Sequence, residues 1–429
     1  MSTIFFSEKI DTIIRVLIYV LIFWIPYSPA VIEICVVLGS GLWVIKRLVD
    51  YPYENFNQLT FRNKIEIFIE SFKPKPSYLN QPISYFVLFC ILSATGSPFW
   101  EQSIHNFFSK TFEWFIIYFL VIEVFTEKKY VYWGLSIFAF TSFSTALDSM
   151  YQFHISQRDI FLGHTIQPGA SATAGFKTPN DLGGYLTIVI PFFVSLVLFK
   201  CNKPLTFLFI LLSISGFWSL TCTSSRGSLT ATLIGTTFFF ILLMRKRFAK
   251  VTLMIFLGII LFCTISAFLL KDEINLFHGI RSNTVYWRLD VWKDSLAMIK
   301  DRPIFGHGTN TFMQLLQEYR SYNYSPTYAH NCYIQVMAET GVIGLICFLW
   351  ILSSLFKNSM KQIFQSTPTN RNLKILATGL LAGFLSFLIH SFSDTNFYSL
   401  QLSSFFWVMV GVQSVICSML NKKNICDIK

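Results

Sequence analysis

The chain has 429 residues, of which 53% are hydrophobic and only 13% charged, with 47 Phe and a formal net charge of +11. A soluble domain carries roughly 25% charged residues, so the composition excludes a disordered chain, a collagen-like fibre, a disulfide scaffold and an ordinary cytosolic enzyme. It fits a protein whose outer surface is itself apolar, and because helices satisfy their own backbone groups in lipid, the expected fold is an all-α polytopic membrane bundle.

Twelve apolar runs approach the roughly 17–25 residues that a helix needs to cross the hydrocarbon: 10–26, 30–46, 82–98, 110–126, 130–149, 182–200, 204–222, 227–244, 250–270, 331–356, 373–391 and 399–419. The first reads as a retained span, because no small-residue cleavage site follows it and it ends at Pro26 and Pro29. Glu33 in the second run and Glu113 and Glu123 in the fourth are expected to make those runs fail a strict hydropathy cut. Between the second and third runs lies the basic segment 46–81, whose apolar stripe of Ile65, Phe68, Ile69 and Phe72 predicts a helix lying on anionic headgroups. With the N-terminus inside, twenty-two Lys and Arg fall on the inner connections and tails and four on the outer ones, leaving aside the long segment 271–330. That asymmetry places both termini in the cytoplasm and accounts for the positive charge without nucleic-acid binding. The nine Cys are scattered and mostly sit in apolar runs, where they serve as small hydrophobes.

Two outer loops, 150–181 and 271–330, are long enough to build a site. At the end of the first, Asn180 or Asp181 is a candidate N-cap for the sixth span. Ser224-Ser225-Arg226-Gly227 joins the seventh and eighth spans; Arg226 either snorkels to headgroups or lines a polar mouth. In 271–330, Leu289, Trp292, Leu296 and Ile299 predict one amphipathic helix, ended by Pro303. Thr309 is the candidate cap of a second, with Phe312, Leu315, Leu316 and Tyr319 on its face. Tyr322, Tyr324 and Tyr328 then lead to His330. Asn331, Gln335 and Glu339 share one face of the tenth span, with Glu339 some two turns into the membrane. An ionisable group there either faces a cavity or pins neighbouring helices. Gly341 and Gly344 suggest close helix packing. His390 and Asp394 are four apart and could pair or orient one another. Arg226, Arg281 and Arg288 suit phosphate oxygens, and the Tyr and Trp rings suit sugars. The sequence has no metal-ligand spacing, no phosphate-binding glycine loop and no external D-x-D motif, so no cofactor is expected.

Ser225-Arg226-Gly227, Arg288-Leu289-Asp290-Val291-Trp292, Pro303-Ile304-Phe305-Gly306-His307-Gly308, His330-Asn331-Cys332-Tyr333-Ile334-Gln335 and Glu339-Thr340-Gly341-Val342-Ile343-Gly344-Leu345 follow one another in that order. The series resembles the O-antigen ligase / O-antigen polymerase superfamily of bacterial envelope proteins, most clearly over 220–350. The resemblance implies three parts: N-terminal helices in 1–219, a superfamily core in 220–356 and C-terminal helices with a tail in 357–429. It also implies a metal-independent, inverting glycosyltransferase of the bacterial inner membrane. The donor would be a glycan on undecaprenyl diphosphate and the acceptor a lipid A-core sugar, at the periplasmic face. His330 would be the catalytic residue, Arg226 and Arg288 would hold the diphosphate with Arg281 as a second loop candidate, and Asn331, Gln335 and Glu339 would support them. A polymerase joining lipid-linked repeat units shares most of these features. A transporter is the reading from another class, but the chain shows no convincing internal repeat.

Overall fold

The computed structural model describes residues 2–51, 61–199, 201–244, 281–321, 324–325 and 327–421, with side chains except at 2–4, 61, 244, 281–286 and 368. Among these residues the protein is all-helical; the sole β feature is an isolated bridge between Arg158 and Thr165. In chain order the helices are α1 (Ser2–Trp24), α2 (Pro29–Val49), α3 (Phe61–Ser71), α4 (Asn80–Thr95), α5 (Trp100–Asn106), α6 (Phe112–Val124), α7 (Lys128–Tyr151), α8 (Pro179–Val197), α9 (Lys203–Cys222), α10 (Arg226–Met244), α11 (Arg281–Asp301), α12 (Phe312–Tyr319), α13 (Cys332–Gln365), α14 (Arg371–His390) and α15 (Leu400–Asn421). Wider π turns at Phe107–Thr111 and Gln152–Ser156 adjoin α6 and α7.

Every apolar run but the ninth is thus helical; 250–270 lies outside the described residues. Seven helices among the described residues are long and apolar enough to cross a membrane: α2, α8, α9, α10, α13, α14 and α15. This is a multi-pass membrane protein. Glu33 does not disqualify α2 as expected, because one exposed carboxylate is diluted by Val, Ile and Leu on all sides. The fourth run does fall short, since the π turn leaves α6 only 13 residues.

Burial sorts the spans. In α8, α14 and α15, 78%, 83% and 89% of the most apolar stretch is buried, against 28% in α2 and 33% in α9. The first three form the centre, and α2 and α9 turn side chains such as Val37, Phe207 and Ile214 outward, as lipid requires. Between α6, α14 and α15 the many Phe do the packing. Phe387 stacks on Phe406 with ring centroids 5.1 Å apart, and Phe115 meets the Trp407 ring edge-on at 5.0 Å.

On α3, Ile65, Phe68 and Ile69 are exposed, the stripe expected to meet headgroups. At that end of the bundle Lys46 bridges Asp11 (2.7 Å) and Glu123 (2.9 Å), and Arg47 reaches the other Glu123 oxygen at 3.0 Å. The sequence reading missed this cluster, whose members come from three helices.

The loop helices form, with altered details. In α11 the buried face is Val291, Asp294, Ser295 and Met298, while Leu289 and Leu296, expected inside, are exposed. Asp294 is buried because it accepts from the Tyr324 hydroxyl (2.8 Å) and the Ser321 amide (3.1 Å), which turns the helix relative to its apolar pattern. That makes Tyr324 part of the loop's own core. The residue before α12 is Thr311, not Thr309, and its hydroxyl donates back to the Gly308 carbonyl at 2.7 Å. Phe312, Leu315 and Leu316 are buried as expected.

A stitched junction holds this loop to α13. The helix breaks its geometry at Gly341, where φ is +71°. Val342 there donates to the Pro303 carbonyl (2.8 Å), Gly308 to Glu339 (2.9 Å) and His307 to Ala338 (3.1 Å). A Cβ on Gly341 would stand 2.0 Å from the Ile304 carbonyl oxygen. Gly341 therefore admits a loop backbone, where close helix packing was expected. Glu339 does not sit isolated two turns into a span. Its carbonyl accepts from Ser93 (2.5 Å), in the last turn of α4, and its carboxylate from Gln335 (3.3 Å), the Asn310 amide (2.8 Å) and the Tyr398 hydroxyl (2.9 Å).

Candidate functional site

Three helix starts converge on one turn. The turn runs from His390, the last residue of α14, to Asn396. The start of α8 meets it at Gly184, where an added Cβ would lie 3.2 Å from Asn396 Oδ1 and 3.4 Å from His390 Nδ1. The start of α10 meets it at Gly227, where an added Cβ would lie 2.6 Å from Ser393 Oγ. At the start of α13, Cys332 donates to the Ser391 carbonyl at 2.9 Å. Unpaired amides and aligned peptide dipoles make each helix start electropositive.

Each start is locally specified. Thr178 caps α8 by accepting from the Asp181 amide at 3.1 Å, with Pro179 in the first turn, so neither Asn180 nor Asp181 is the cap as expected. Pro179 pre-sets the first helical φ, which moves the cap to Thr178, two residues before Asn180. Before α10 the chain turns sharply at Ser224, with φ +51°, and Arg226 becomes the first helical residue, exposed at the mouth. Asn331 caps α13, its Oδ1 accepting from Tyr333 (3.0 Å) and Ile334 (3.1 Å).

His330, just before that cap, adopts φ +47°, a conformation that L residues rarely keep unless their surroundings impose it. Both polar groups of Ala329 are pinned: its carbonyl accepts from Trp292 Nε1 at 2.8 Å, and its amide donates to Gln335 Oε1 at 3.1 Å. The Trp287 ring packs against the imidazole with centroids 5.3 Å apart. On the other side His330 Nδ1 faces Asp394 Oδ1 at 3.2 Å.

Burial pushes the Asp394 carboxyl up, but the His330 contact and the positive character at His390 and His330 outweigh it and hold the group down to about 2. Asp394 is therefore an anion. An anion at Nδ1 selects the tautomer with the proton there, leaving Nε2 as the free acceptor. His390 turns its Nδ1 to Asn396 Oδ1 (3.0 Å), so it pairs with Asn396 and leaves Asp394 to His330.

Arg288 follows Trp287 on α11, lies within electrostatic reach of His390, and has a buried Nε with no hydrogen-bond partner. A buried guanidinium nitrogen left unsatisfied is costly, and an anion in the site would satisfy it. The structure thus gathers the α10 start bearing Arg226, Arg288 and His330 around the turn 390–396. The Arg281 side chain lies outside the described residues. Gln335 and Asn331 hold the backbone on either side of His330, and Glu339 ties the loop to α13. Sequence reasoning missed the His330–Asp394 pair and the two Trp contacts. Its one usable signal was the pairing potential of Asp394, which it attached to His390.

Residues 208–349 match the family model described as O-antigen ligase. The match covers Arg226, Arg288, His330 and Glu339, and agrees with the resemblance seen over 220–350. The matched stretch includes α10 and runs past the kink of α13, whereas Asp394 lies beyond it. The chain is also similar to the teichuronic acid biosynthesis protein TuaE of Bacillus subtilis (strain 168), 21% identical over an alignment of 262 positions that covers 58% of this chain. It spans about half the length of that relative, 52%.

Proposed function

We propose that the protein is an O-antigen ligase, moving a glycan from undecaprenyl diphosphate to a lipid A-core sugar at the periplasmic face of the bacterial inner membrane. The observation that carries this reading is the His330–Asp394 pair at a turn where three helix starts meet, one of them opening with Arg226, with Arg288 within electrostatic reach of His390. In the reaction the acceptor hydroxyl oxygen attacks the anomeric carbon. A new C–O bond forms as the bond to the diphosphate breaks, and the electron pair leaves with the diphosphate. His330 Nε2 takes the hydroxyl proton, and Asp394 stabilises the imidazolium that results. Arg226 and Arg288 meet the growing negative charge on the departing diphosphate, a fixed cationic surround that needs no reorganisation. One displacement with one base inverts the anomeric carbon.

The topology belongs to the same reading: twelve spans, both termini cytoplasmic, and the segment 271–330 outside. The basic cluster and the exposed stripe of α3 at the Lys46 end agree with an inner face there.

Because the relative is named for teichuronic acid biosynthesis, with no ligase in its name, a polymerase acting on a second lipid-linked unit is the second reading. Purified full-length protein given a lipid-linked glycan with either lipid A-core or a second lipid-linked unit separates the two by which product forms. His330→Ala and Arg288→Ala are expected to abolish transfer while the protein still inserts. Unimpaired transfer by either variant would falsify the assignment.

A further inference from the structure

Two residues before His330, Tyr328 lays its ring against Tyr398, centroids 5.8 Å apart, and lines a cavity of about 610 Å³. The cavity opens between α5 with its π turn, which contribute Gln102, Asn106 and Lys110, and α12, which contributes Gln314 and Gln317. Nothing in the transfer chemistry above uses it.

Gln317 is the informative residue. Its Oε1 accepts from the Arg320 guanidinium, which fixes which end of the amide is oxygen. Its Nε2 is then a buried donor with no partner. A protein does not normally keep such a group unless something else bonds it. Asn106 points its Nδ2 at the Asn310 carbonyl (3.4 Å), which leaves its own Oδ1 as an acceptor. Lys110 is the cation of the lining, and among the described residues no carboxylate pairs with it. Glu339, at the base, is already occupied by Gln335, Tyr398 and the Asn310 and Phe312 amides.

Alternating amide donors and acceptors match sugar hydroxyls, the half-buried aromatic face of Tyr328 matches the C–H face of a pyranose, and an unpaired ammonium matches an anionic substituent. We infer that this cavity seats the acceptor saccharide, and that the saccharide is acidic, carrying a carboxylate or a phosphate that Lys110 meets. The inference rests on the transferase reading for the word acceptor. The position agrees with that reading, since Tyr328 of the lining stands two residues before the proposed base.

The test uses the purified full chain in lipid nanodiscs and three probes, cellobiouronic acid, cellobiose 6′-phosphate and neutral cellobiose, followed by ligand-observed NMR. The unmodified protein and His330→Ala should both bind one acidic disaccharide about 10-fold more tightly than cellobiose, a typical return for one charge-assisted contact. Which acid is preferred identifies carboxylate or phosphate. Lys110→Ala should erase the preference, and Gln317→Met should weaken all three probes. Equal binding of acidic and neutral probes by the unmodified protein, no binding at all, or a preference that survives Lys110→Ala overturns the inference. Because binding is read without turnover, the two readings fail differently. Transfer with an acceptor KM unchanged in Lys110→Ala removes the cavity and keeps the enzyme; selective binding without transfer removes the enzyme and keeps the cavity.

Discussion

The indole nitrogen of Trp292 donates to the carbonyl of Ala329 at 2.8 Å, and the residue after Ala329 is His330. A helix of the long loop thereby sets the backbone that presents the proposed base. Trp292→Phe keeps an aromatic ring and removes the donor. It is expected to cost about 1 kcal/mol of stability and to lower kcat roughly 10-fold or more by loosening His330, with donor and acceptor KM little changed. Thermal unfolding in nanodiscs and initial transfer rates measure the two effects.

Asp394→Asn leaves the shape of the turn and removes the anion that fixes the His330 tautomer. Loss of transfer by roughly 10²–10⁴ is expected, the scale seen when a histidine base loses its orienting carboxylate. Retention of more than half the activity would contradict the role.

The same carboxylate has a pH signature. Its folded pKa of about 2 lies below the ordinary 3.8. A depressed carboxylate stabilises the fold fully above the unfolded value, and that contribution is lost as pH falls through the folded one. The unmodified protein should therefore lose about 2 kcal/mol between pH 4 and pH 2 relative to Asp394→Asn. Denaturant titrations across that window decide it.

Arg288 carries a buried Nε without a partner. Arg288→Met should leave stability unchanged or raise it, because an unsatisfied buried group disappears, while transfer falls by about 10² or more through lost charge stabilisation. A variant that loses stability and activity together would point to a structural arginine.

At Gly341, φ is +71° and an added Cβ would stand 2.0 Å from a carbonyl oxygen. Gly341→Ala should part the loop from α13 and cost upwards of about 3 kcal/mol, strain and lost hydrogen bonds combined. The readout is a lower midpoint of thermal unfolding, accompanied by protease cleavage between α11 and α12.

The helices were legible because lipid demands long apolar runs, and eleven of the twelve expected runs recur as α1, α2, α4, α6–α10 and α13–α15. The candidate residues were legible as types: an Arg opening a helix, an Arg about four turns before a Pro-ended stop, a His before an Asn cap. The face of α11 was not, because the buried Asp294 and its Tyr324 partner lie 30 residues apart and their bond outweighs the pattern Leu289–Leu296. The cap of α8 was misread by one turn chemistry in place of another, Thr178 with Pro179. The ion cluster of Lys46, Asp11 and Glu123 had no local signal at all.

By itself the sequence determined that the chain is a bundle of apolar helices with one folded loop, since hydrophobic runs, proline stops and caps act over a few residues of chain. Only the tertiary structure decided that Asp394 belongs to His330 and that three helix starts share the turn 390–396. Those contacts join residues 59 and more positions apart, and the local spacing rules that reveal a helix carry no information about which helix it meets.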